Sequence, residues 1–544
     1  MSYRNKGANT HQFAMVPRAD IPRSKFKIQS TYKTTFDSGF LIPVYVDEVL
    51  PGDTHNVKMT AFARLATPIV PIMDNLHLES FFFFVPCRLV WQNWVRFMGE
   101  QPSPGDSISF VVPQIVSPSG GFAVGSIYDY FGLPTVGQVT AGQTVTVNAL
   151  PFRTYAEIFD QWFRDENLVN PYNPNTASDG PDLSTAYNLA RRGKRHDYFT
   201  SCLPFVQKGA SVALPLGTSA VVKTSATQLV TGAQPAQFMS VATTGVRGST
   251  ALGLGINTAS GVVTYTGATI TAPIGQYPDN LFADLSTATA ATINQIRQAF
   301  QIQKLLERDA RGGTRYTEIV RSHFGVLSPD ARLQRPEYLG GGHGAISINP
   351  VAQQSGTGIT GGSTPLATLS ATGTMAIHGH GFRQSFTEHG YIIGLVSVRA
   401  DLTYQQGLRK LWSRNTRYDF YFPVFQALGE QAVLNQEIYA TGTDATDNAV
   451  FGYQERWAEY RYFPSLITGL FRSTSAGTLD VWHLAQRFVA QPVLDSTFIQ
   501  ESPPLARILA TASTGKELLL DCFFDNEAVR PLPAYSVPGF VDHF

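Results

Sequence analysis

The chain has 544 residues, of which 41 are basic and 41 acidic, so its formal net charge is zero. Only 15% of residues are charged, against about 25% in ordinary soluble domains. A dedicated nucleic-acid-binding protein carries a clear basic excess, so the composition argues against that class. The 47 Gly, 33 Pro and 12% aromatic residues favour short strands and long ordered loops. Much of the surface is expected to be uncharged or buried between subunits.

Three strand patterns separated by turn residues occupy residues 36–85. In the third, NLHLESFFFFVP, Leu76 and Leu78 alternate with polar residues until Phe81 to Phe84 make both faces apolar. This pattern predicts a strand that passes from a half-exposed edge into an interior covered on both sides. The cover is either a second sheet of the same chain or a neighbouring subunit. Further strand patterns lie at residues 391–404, 452–464, 479–488 and 516–533.

Helical patterns are few. Residues 89–100 resemble a helix, and a better-supported helix begins near Pro151 and stops before Pro171. A third helix is predicted over residues 287–311, ended by a glycine pair at 312–313. We expect the apolar stripes of the last two helices to be core. These stripes consist of Tyr155, Ile158, Phe159 and Trp162 in one helix, and of Ile293, Ile296 and Phe300 in the other.

Two long segments are nearly free of charge. Residues 209–280 contain only Lys223, Arg247 and Asp279 as charged residues and are rich in Ala, Thr, Ser, Val and Gly. Their β-branched content predicts an insertion of short strands and turns, with a disordered loop as the alternative. Residues 351–376 have lower complexity and predict a long surface loop. The glycine run at 340–344 predicts a turn.

The N-terminal region is basic. Up to residue 33 it has seven basic residues against one acid, a net charge of +6, which leaves −6 for the remaining 511 residues. This pattern predicts an arm over residues 1–35 that contacts phosphate groups, the alternative being a disordered terminus. The candidate residues are Arg4, Lys6, Arg18, Arg23, Lys25, Lys27 and Lys33.

The one dense basic segment is RRGKRHDYF at residues 191–199. Its cations Arg191, Arg192, Lys194 and Arg195 precede two aromatic residues, a combination that suits phosphate contact and base stacking in single-stranded nucleic acid. A subunit-interface loop paired with nearby acids is an equal alternative.

Signatures of catalysis are missing. The sequence has no GxxxxGK[ST], GxSxG or HExxH motif, and the three cysteines are too far apart for a disulfide framework or zinc knuckle. His378 and His380 form a weak metal candidate, because an H-x-H pair on a strand places both rings on one face. Surface or interface histidines are the favoured interpretation. We expect no enzyme activity, no cofactor and no membrane insertion.

Four segments resemble the major capsid proteins of the Microviridae, most closely the gokushovirus type. They include FDSGFLIPVYVDEVLPGD and the residues that follow it, KRHDYFTSCLPFVQKG, HFGVLSPDARLQRPEYLGGG and FGYQERWAEYRYFPS. The resemblance covers nearly the whole chain except the surroundings of residues 209–280 and 351–376.

This resemblance implies an all-β fold, an eight-stranded viral jelly roll with long loop insertions and a few short helices. It also implies 60 copies, assembled through pentamers, in a T=1 shell around circular single-stranded DNA. The implied partners are an internal scaffolding protein, a small basic DNA-packaging protein and a host-cell receptor. The implied location is the virion, with assembly in the bacterial cytoplasm.

The predicted domains follow from both arguments. They are an interior basic arm at residues 1–35, a jelly-roll core at 36–208 and 281–544, an insertion at 209–280 that projects near the threefold axis, and a loop at 351–376. The alternative function is a carbohydrate-binding or carbohydrate-active β-sandwich protein, which ordinarily carries a signal peptide. A non-capsid nucleic-acid-binding protein is a third hypothesis.

Overall fold

The computed structural model describes residues 21–212, 293–313, 315–327, 334–354, 366–510 and 515–535, and six short strands between residues 221 and 284. The chain divides into two compact units. The larger contains residues up to 206 and from 312 onward, and the smaller contains residues 207–311.

The larger unit opens with four long strands, β1 (Ser24–Phe36), β2 (Ile42–Val49), β3 (Thr54–Leu65) and β4 (Leu76–Pro86). The last three confirm the strand patterns predicted over residues 36–85. The first is new, because β1 lies within the predicted arm of residues 1–35 and pairs along its whole length with the last strand of the chain. The segment that its charges marked as an arm therefore includes a full strand of the sheet.

Short elements follow β4. They are α1 (Cys87–Val90), α2 (Trp94–Phe97), β5 (Gln114–Val116), α3 (Ile127–Tyr130), β6 (Thr146–Asn148) and α4 (Leu150–Ile158), which continues as a π-helical turn over Phe159–Phe163. The helix at Pro151 is thus confirmed, with Tyr155, Ile158 and Phe159 in the core, but the assignment of Trp162 to the core is wrong because this side chain is 38% exposed. The single helix predicted over residues 89–100 is wrong, because Trp91 is fully buried and its extended backbone separates α1 from α2.

The smaller unit contains mainly short antiparallel strands. These are β7 (Val221–Thr224), β8 (Phe238–Val241), β9 (Arg247–Asn257), β10 (Val262–Thr266), β11 (Gly275–Pro278) and β12 (Leu281–Asp284). Four of them form a sheet in the order β10-β9-β8-β11, and β7 pairs with β12. Helix α5 (Ile293–Gly312) follows. Its predicted start at 287 lies outside the described residues, and Phe300 is 67% exposed, so its assignment to a core stripe is wrong.

The rest of the chain returns to the larger unit. It contains α6 (Tyr316–Phe324), β13 (Glu337–Ala345), β14 (Ser347–Ala352), β15 (Leu369–Ser385), β16 (Gly390–Ala400), β17 (Glu430–Leu434), α7 (Asn435–Ile438), α8 (Asp444–Asp447), β18 (Val450–Glu455), α9 (Ser496–Ile499) and β19 (Leu518–Arg530). Seven short 3₁₀ turns lie between residues 410 and 507 in this described region.

Three predictions in this region need correction. The glycine run at 340–344 lies within β13, paired with β4, rather than in a turn. Glycine is required at position 341 because a side chain there would overlap the carbonyl oxygen of Ser80 on the paired strand. Both ends of the predicted loop at 351–376 lie in β14 and β15, and residues 355–365 lie outside the described residues. Residues 479–488 form a 3₁₀ turn and coil instead of a strand.

The long strands form two antiparallel sheets. One sheet has the order β1-β19-β3-β15-β14, and the other has the order β13-β4-β16-β2. Leaving aside the edge strand β14, each sheet has four strands whose neighbours come from distant parts of the chain. This is the strand order of an eight-stranded jelly roll, so the predicted fold is confirmed.

Strands β4 and β16 are buried on both faces. Phe82 and Phe84 lie in the core between the two sheets, whereas Phe83 and Val85 lie in a second core that includes Trp91 and residues of α4. The chain itself therefore covers both faces of β4, which answers the question raised by the four phenylalanines.

We predict that Phe82→Ala lowers the free energy of unfolding of the unassembled chain by about 3–5 kcal/mol, because Phe82 is only 1% exposed between the sheets. Urea denaturation followed by tryptophan fluorescence measures the change. Phe523→Ala is the control, since Phe523 is 40% exposed, and it should cost about 1 kcal/mol or less. Equal losses in both variants would contradict the placement of Phe82.

Candidate nucleic-acid interface

The face of the five-stranded sheet that points away from the core carries an unusual number of cations. In β3, β15 and β19 buried residues alternate with exposed or half-buried ones, and β1 pairs in register with β19, so alternate residues of the four strands share this outer face. Its charged residues are Lys25, Lys27, Lys33, Lys58, Arg64, Arg383, Asp521, Asp525 and Glu527. Six cations against three acids give the outer face a net charge of +3.

The cations of β1 are paired with the acids of β19. Lys25 Nζ lies 3.1 Å from Glu527 Oε2, and Lys33 Nζ lies 3.0 Å from Asp521 Oδ2. Lys27 Nζ is 3.8 Å from Asp525 Oδ2. Hydrogen bonding to Lys25 lowers the pKa of Glu527. Because these pairs are exposed, they contribute little stability, and a phosphate group can compete with the carboxylates for the lysines.

The sequence prediction identified only part of this face. It found Lys25, Lys27 and Lys33, whereas Arg23 precedes β1 with its guanidinium next to Gly52. Arg4, Lys6 and Arg18 lie outside the described residues. The cations that it missed are Lys58, Arg64 and Arg383. The alternation of apolar Val57, Met59, Ala61 and Ala63 with mainly polar residues in β3 was the signal that could have placed Lys58 and Arg64 on an exposed face.

Apolar side chains lie among these charges. Phe62 is 50% exposed, Leu519 is 48% exposed and Phe523 is 40% exposed. In the sheet register Phe62 is opposite Asp521, and Phe523 is opposite Thr31 and Thr60. Exposed aromatic rings beside cations provide the two groups that single-stranded nucleic acid requires, one for base stacking and one for phosphate contact.

The basic segment at residues 191–199 is built into the interior. Arg192 Nη2 lies 2.6 Å from Glu79 Oε2, and Lys194 Nζ donates a 2.8 Å hydrogen bond to Gln486 Oε1. Both residues are less than 10% exposed. Burial lowers the pKa of Lys194 to about 8. This geometry does not favour the predicted phosphate contact by Arg192 and Lys194, because their side chains are enclosed by groups of the same chain.

The other residues of this segment also contact groups of the same chain. Arg191 stacks over Phe40 at 4.1 Å and donates to the backbone oxygen of Glu501. Arg195 pairs with Asp401 at 2.9 Å. The two aromatic residues, Tyr198 and Phe199, belong to a third buried cluster. The acids that this loop meets belong to the same chain, and the loop anchors the sandwich.

Glu79 on β4 is the centre of this anchor. Besides Arg192 it accepts from Arg399 Nη2 at 2.9 and 3.1 Å, and Arg195 Nη2 lies 3.5 Å away. Burial alone would raise the pKa of Glu79, but Arg192 and Arg399 outweigh burial and lower it. The ionised carboxylate thus holds three arginines of two separate segments.

The two candidate histidines are separated by a bulge. Gly379 has φ +74°, and the register between β15 and β3 shifts between Ile377 and His380. His378 is exposed, whereas His380 Nδ1 lies 2.9 Å from the hydroxyl of Ser80 in the other sheet. Burial and His343 lower the pKa of His380. The expectation that both rings share one face is therefore wrong.

No described group of three or more His, Cys, Asp or Glu side chains is arranged to hold a metal ion. All three cysteines are buried thiols that form no disulfide bond, and burial raises the pKa of Cys522 to about 12. Among the described helices, none combines the length and apolar character needed to cross a membrane.

Comparison with known proteins gives a consistent result over nearly the whole chain. Residues 14–540 match the family model described as capsid protein (F protein). The chain belongs to this family of phage capsid proteins. It is 48% identical over 545 residues to capsid protein VP1 of Bdellovibrio phage phiMH2K, covering 98% of this chain and 99% of the relative.

Two further relatives support the same family. Capsid protein VP1 of Chlamydia phage 1 is 42% identical over 592 residues, covering 97% of each chain. Capsid protein VP1 of Spiroplasma virus 4 is 37% identical over 557 residues, covering 98% of each chain. The resemblance to gokushovirus-like Microviridae is thus confirmed. The chain is a structural capsid protein of a bacteriophage, and the carbohydrate-related alternative is not favoured.

We predict that Glu79→Gln lowers the free energy of unfolding by about 3 kcal/mol, because it leaves three buried or half-buried arginines without their carboxylate. Urea denaturation at pH 7 measures this loss. The difference from wild type should shrink below about pH 4.3, where the carboxyl of the unfolded chain protonates, and vanish once Glu79 protonates in the folded chain.

Lys516→Gln is the matched control for this ion-pair variant. Lys516 Nζ lies 2.6 Å from Asp37 Oδ2, but its side chain is 44% exposed. Its loss should change stability by about 1 kcal/mol or less. A stability loss for Glu79→Gln no larger than that of the control would mean that Glu79 does not anchor the arginines.

Proposed function

We propose that 60 copies of this chain form a T=1 icosahedral shell around a circular single-stranded DNA genome, with the outer face of the five-stranded sheet directed toward the DNA. The orientation of this face toward the DNA is inferred from its charge, since it has six cations against three acids on a chain with no net charge. Phosphate groups that bind these cations release counterions, which favours binding without sequence preference.

Repetition makes weak contacts sufficient. Each copy offers a few exposed lysines and arginines, and the shell multiplies them by the number of copies. The basic residues before β1 extend the same chemistry, since Arg4, Lys6 and Arg18 add three cations against Asp20. Shell assembly is proposed to proceed through pentamers in the host cytoplasm, with an internal scaffolding protein and a small basic DNA-packaging protein as partners.

We predict that replacing Arg23, Lys25 and Lys27 with Gln lowers the DNA content of particles more than the number of particles. The change removes three positive charges while Asp525 and Glu527 remain, so phosphate is repelled. DNA per particle is measured by quantitative PCR on purified shells counted by electron microscopy. The matched control replaces the exposed Arg96, Arg321 and Arg487, which lie outside the sheet, with Gln.

The salt dependence of DNA binding provides a second measurement. For single-stranded DNA, each lost phosphate contact should reduce the slope of the binding constant against salt concentration, on logarithmic axes, by about 0.7. Unchanged DNA content together with an unchanged slope would refute the assignment of this face to DNA.

The uncharged segment at residues 209–280 is proposed to project from the shell near the threefold axes and to contact the host-cell receptor. Support comes from its composition and from its position within a separate compact unit of residues 207–311. Exposed insertions on a rigid scaffold are common sites of recognition.

We predict that a chain in which a short Gly/Ser linker replaces residues 209–280 still forms shells but attaches to host cells at least tenfold less. Closing the gap with a flexible linker costs little free energy, since loop-closure entropy grows slowly with length. Particle yield and cell-bound particles are measured together. Failure of the variant to form particles would show that the segment is needed for the shell itself.

A further inference from the structure

Two neighbouring stretches of the larger unit, residues 408–428 and 456–470, expose an exceptional number of apolar side chains. Together they hold ten aromatic residues in 36 positions, whereas aromatic residues make up 12% of the whole chain. We refer to them as the aromatic–arginine surface. Its exposed large side chains include Leu411, Trp412, Tyr418, Phe420, Tyr421, Val424, Leu428, Tyr460, Phe463 and Leu466.

Ring contacts and cation–π contacts connect the two stretches. The ring of Tyr421 lies 5.5 Å from that of Trp457 and 6.3 Å from that of Tyr460. The guanidinium of Arg414 stacks over Tyr460 at 4.4 Å. Trp457 Nε1 in the second stretch also donates a 3.0 Å hydrogen bond to the backbone oxygen of Phe425 in the first. The two stretches are therefore held together by ring and cation–π contacts.

A cleft of about 380 Å³ opens within this surface. Its charged groups are already compensated, since Arg414 pairs with Glu459 at 3.2 Å and Lys410 lies 3.5 Å from Glu437. Arg409 stacks over Phe463 at 4.1 Å. The cleft therefore offers aromatic walls with a charged rim, the form of a pocket that receives an anchor side chain of a protein partner.

We propose that the aromatic–arginine surface is a contact between copies of this chain in the shell. The inference rests on the proposed assembly of copies into a shell and specifies which surface they use. Nine of its large apolar and aromatic side chains are at least half exposed, and a cluster of this kind on a folded chain marks a site of interaction with another protein.

The composition favours a protein partner over nucleic acid. The two stretches contain five arginines but one lysine, and aromatic residues with arginine are the types enriched at the centres of protein interfaces. Four of the five arginines stack on rings of the same chain, whereas the lysines of the outer face make only exposed ion pairs that phosphate can displace.

Charge complementarity favours a second copy as the occupant. The two stretches carry six cations and two acids, a net charge of +4, so the rest of the neutral chain carries −4. Once residues 1–33, with their net charge of +6, are also set aside, the remainder carries −10. A different, acidic surface of a neighbouring copy can therefore meet this one, a heterologous contact of the kind that builds closed assemblies.

The test uses Trp412→Ser with Phe463→Ser in the full chain, expressed with its scaffolding partner. We expect a folded, soluble chain whose melting temperature stays within about 4 °C of wild type, with shell yield lowered at least tenfold by sedimentation and electron microscopy. The matched control is Val489→Ser with Tyr535→Ser, because these side chains are 96% and 84% exposed outside the surface. The control should form shells at the wild-type yield.

Other outcomes overturn the inference. Shells at wild-type yield would exclude the surface as a required contact, and such shells with less DNA would assign it to nucleic acid. A melting temperature lowered only in the surface variant would mean that the chain itself covers these residues. If the wild-type chain forms no closed particles, the proposed shell fails first, and the inference fails with it.

Hydrogen exchange provides a readout without any substitution. Amides at residues 411–425 and 460–466 should exchange at least tenfold more slowly in assembled particles than in the unassembled chain, while amides around Val489 should not change. Equal exchange in the two states would contradict the contact.

Discussion

Burial of β4 and β16 on both faces is the constraint on which the rest of the structure depends. The two strands are neighbours in one sheet, and their side chains alternate between the core shared with the other sheet and a second core beneath α1 and α4. Both faces of β4 and β16 are therefore covered by the chain itself. The centre of the four-stranded sheet stabilises the fold and is not exposed to a partner. Among the described residues of the larger unit, the outer face of the five-stranded sheet and the long connections between strands lie outside these two cores, and these are the surfaces proposed to contact DNA and neighbouring copies.

The basic side chains are also divided between the interior and the outer face of the five-stranded sheet. Arginines of the connection at residues 191–195 and of β16 are drawn inward around Glu79, where the planar guanidinium can satisfy a carboxylate with several hydrogen bonds. Lysines of β1 and β3 stay on the outer face, where an ammonium group remains hydrated and its pairs with acids are weak. One sequence feature, a basic cluster, thus has opposite meanings at residues 191–195 and 23–33, and only the three-dimensional structure separates them.

Much of the fold could be predicted from sequence because alternation and turn residues act locally. The patterns for β2, β3, β4, β16 and β19 gave their positions, and the helix at Pro151 followed from its first-turn proline and its apolar spacing. Strand β1 was missed because its lysines mark it as an arm, and its pairing partner lies almost 500 residues away in β19. The charged outer face could be predicted only in part for the same reason, since it gathers residues from four strands that only the sheet register brings together.

The location of the aromatic–arginine surface agrees with this division of roles. A strand of a jelly roll has half or all of its side chains committed to a core, so a broad apolar contact can be built only from connections between strands. Residues 408–428 and 456–470 are such connections, held by short 3₁₀ turns and by stacked rings instead of a sheet. Side chains fixed by stacking lose less conformational entropy on binding than free ones, so a surface of this kind is organised before a partner arrives. The same chain can therefore separate the two tasks of a shell protein, with lysines on the sheet available to phosphate and with aromatic connections available to a neighbouring copy.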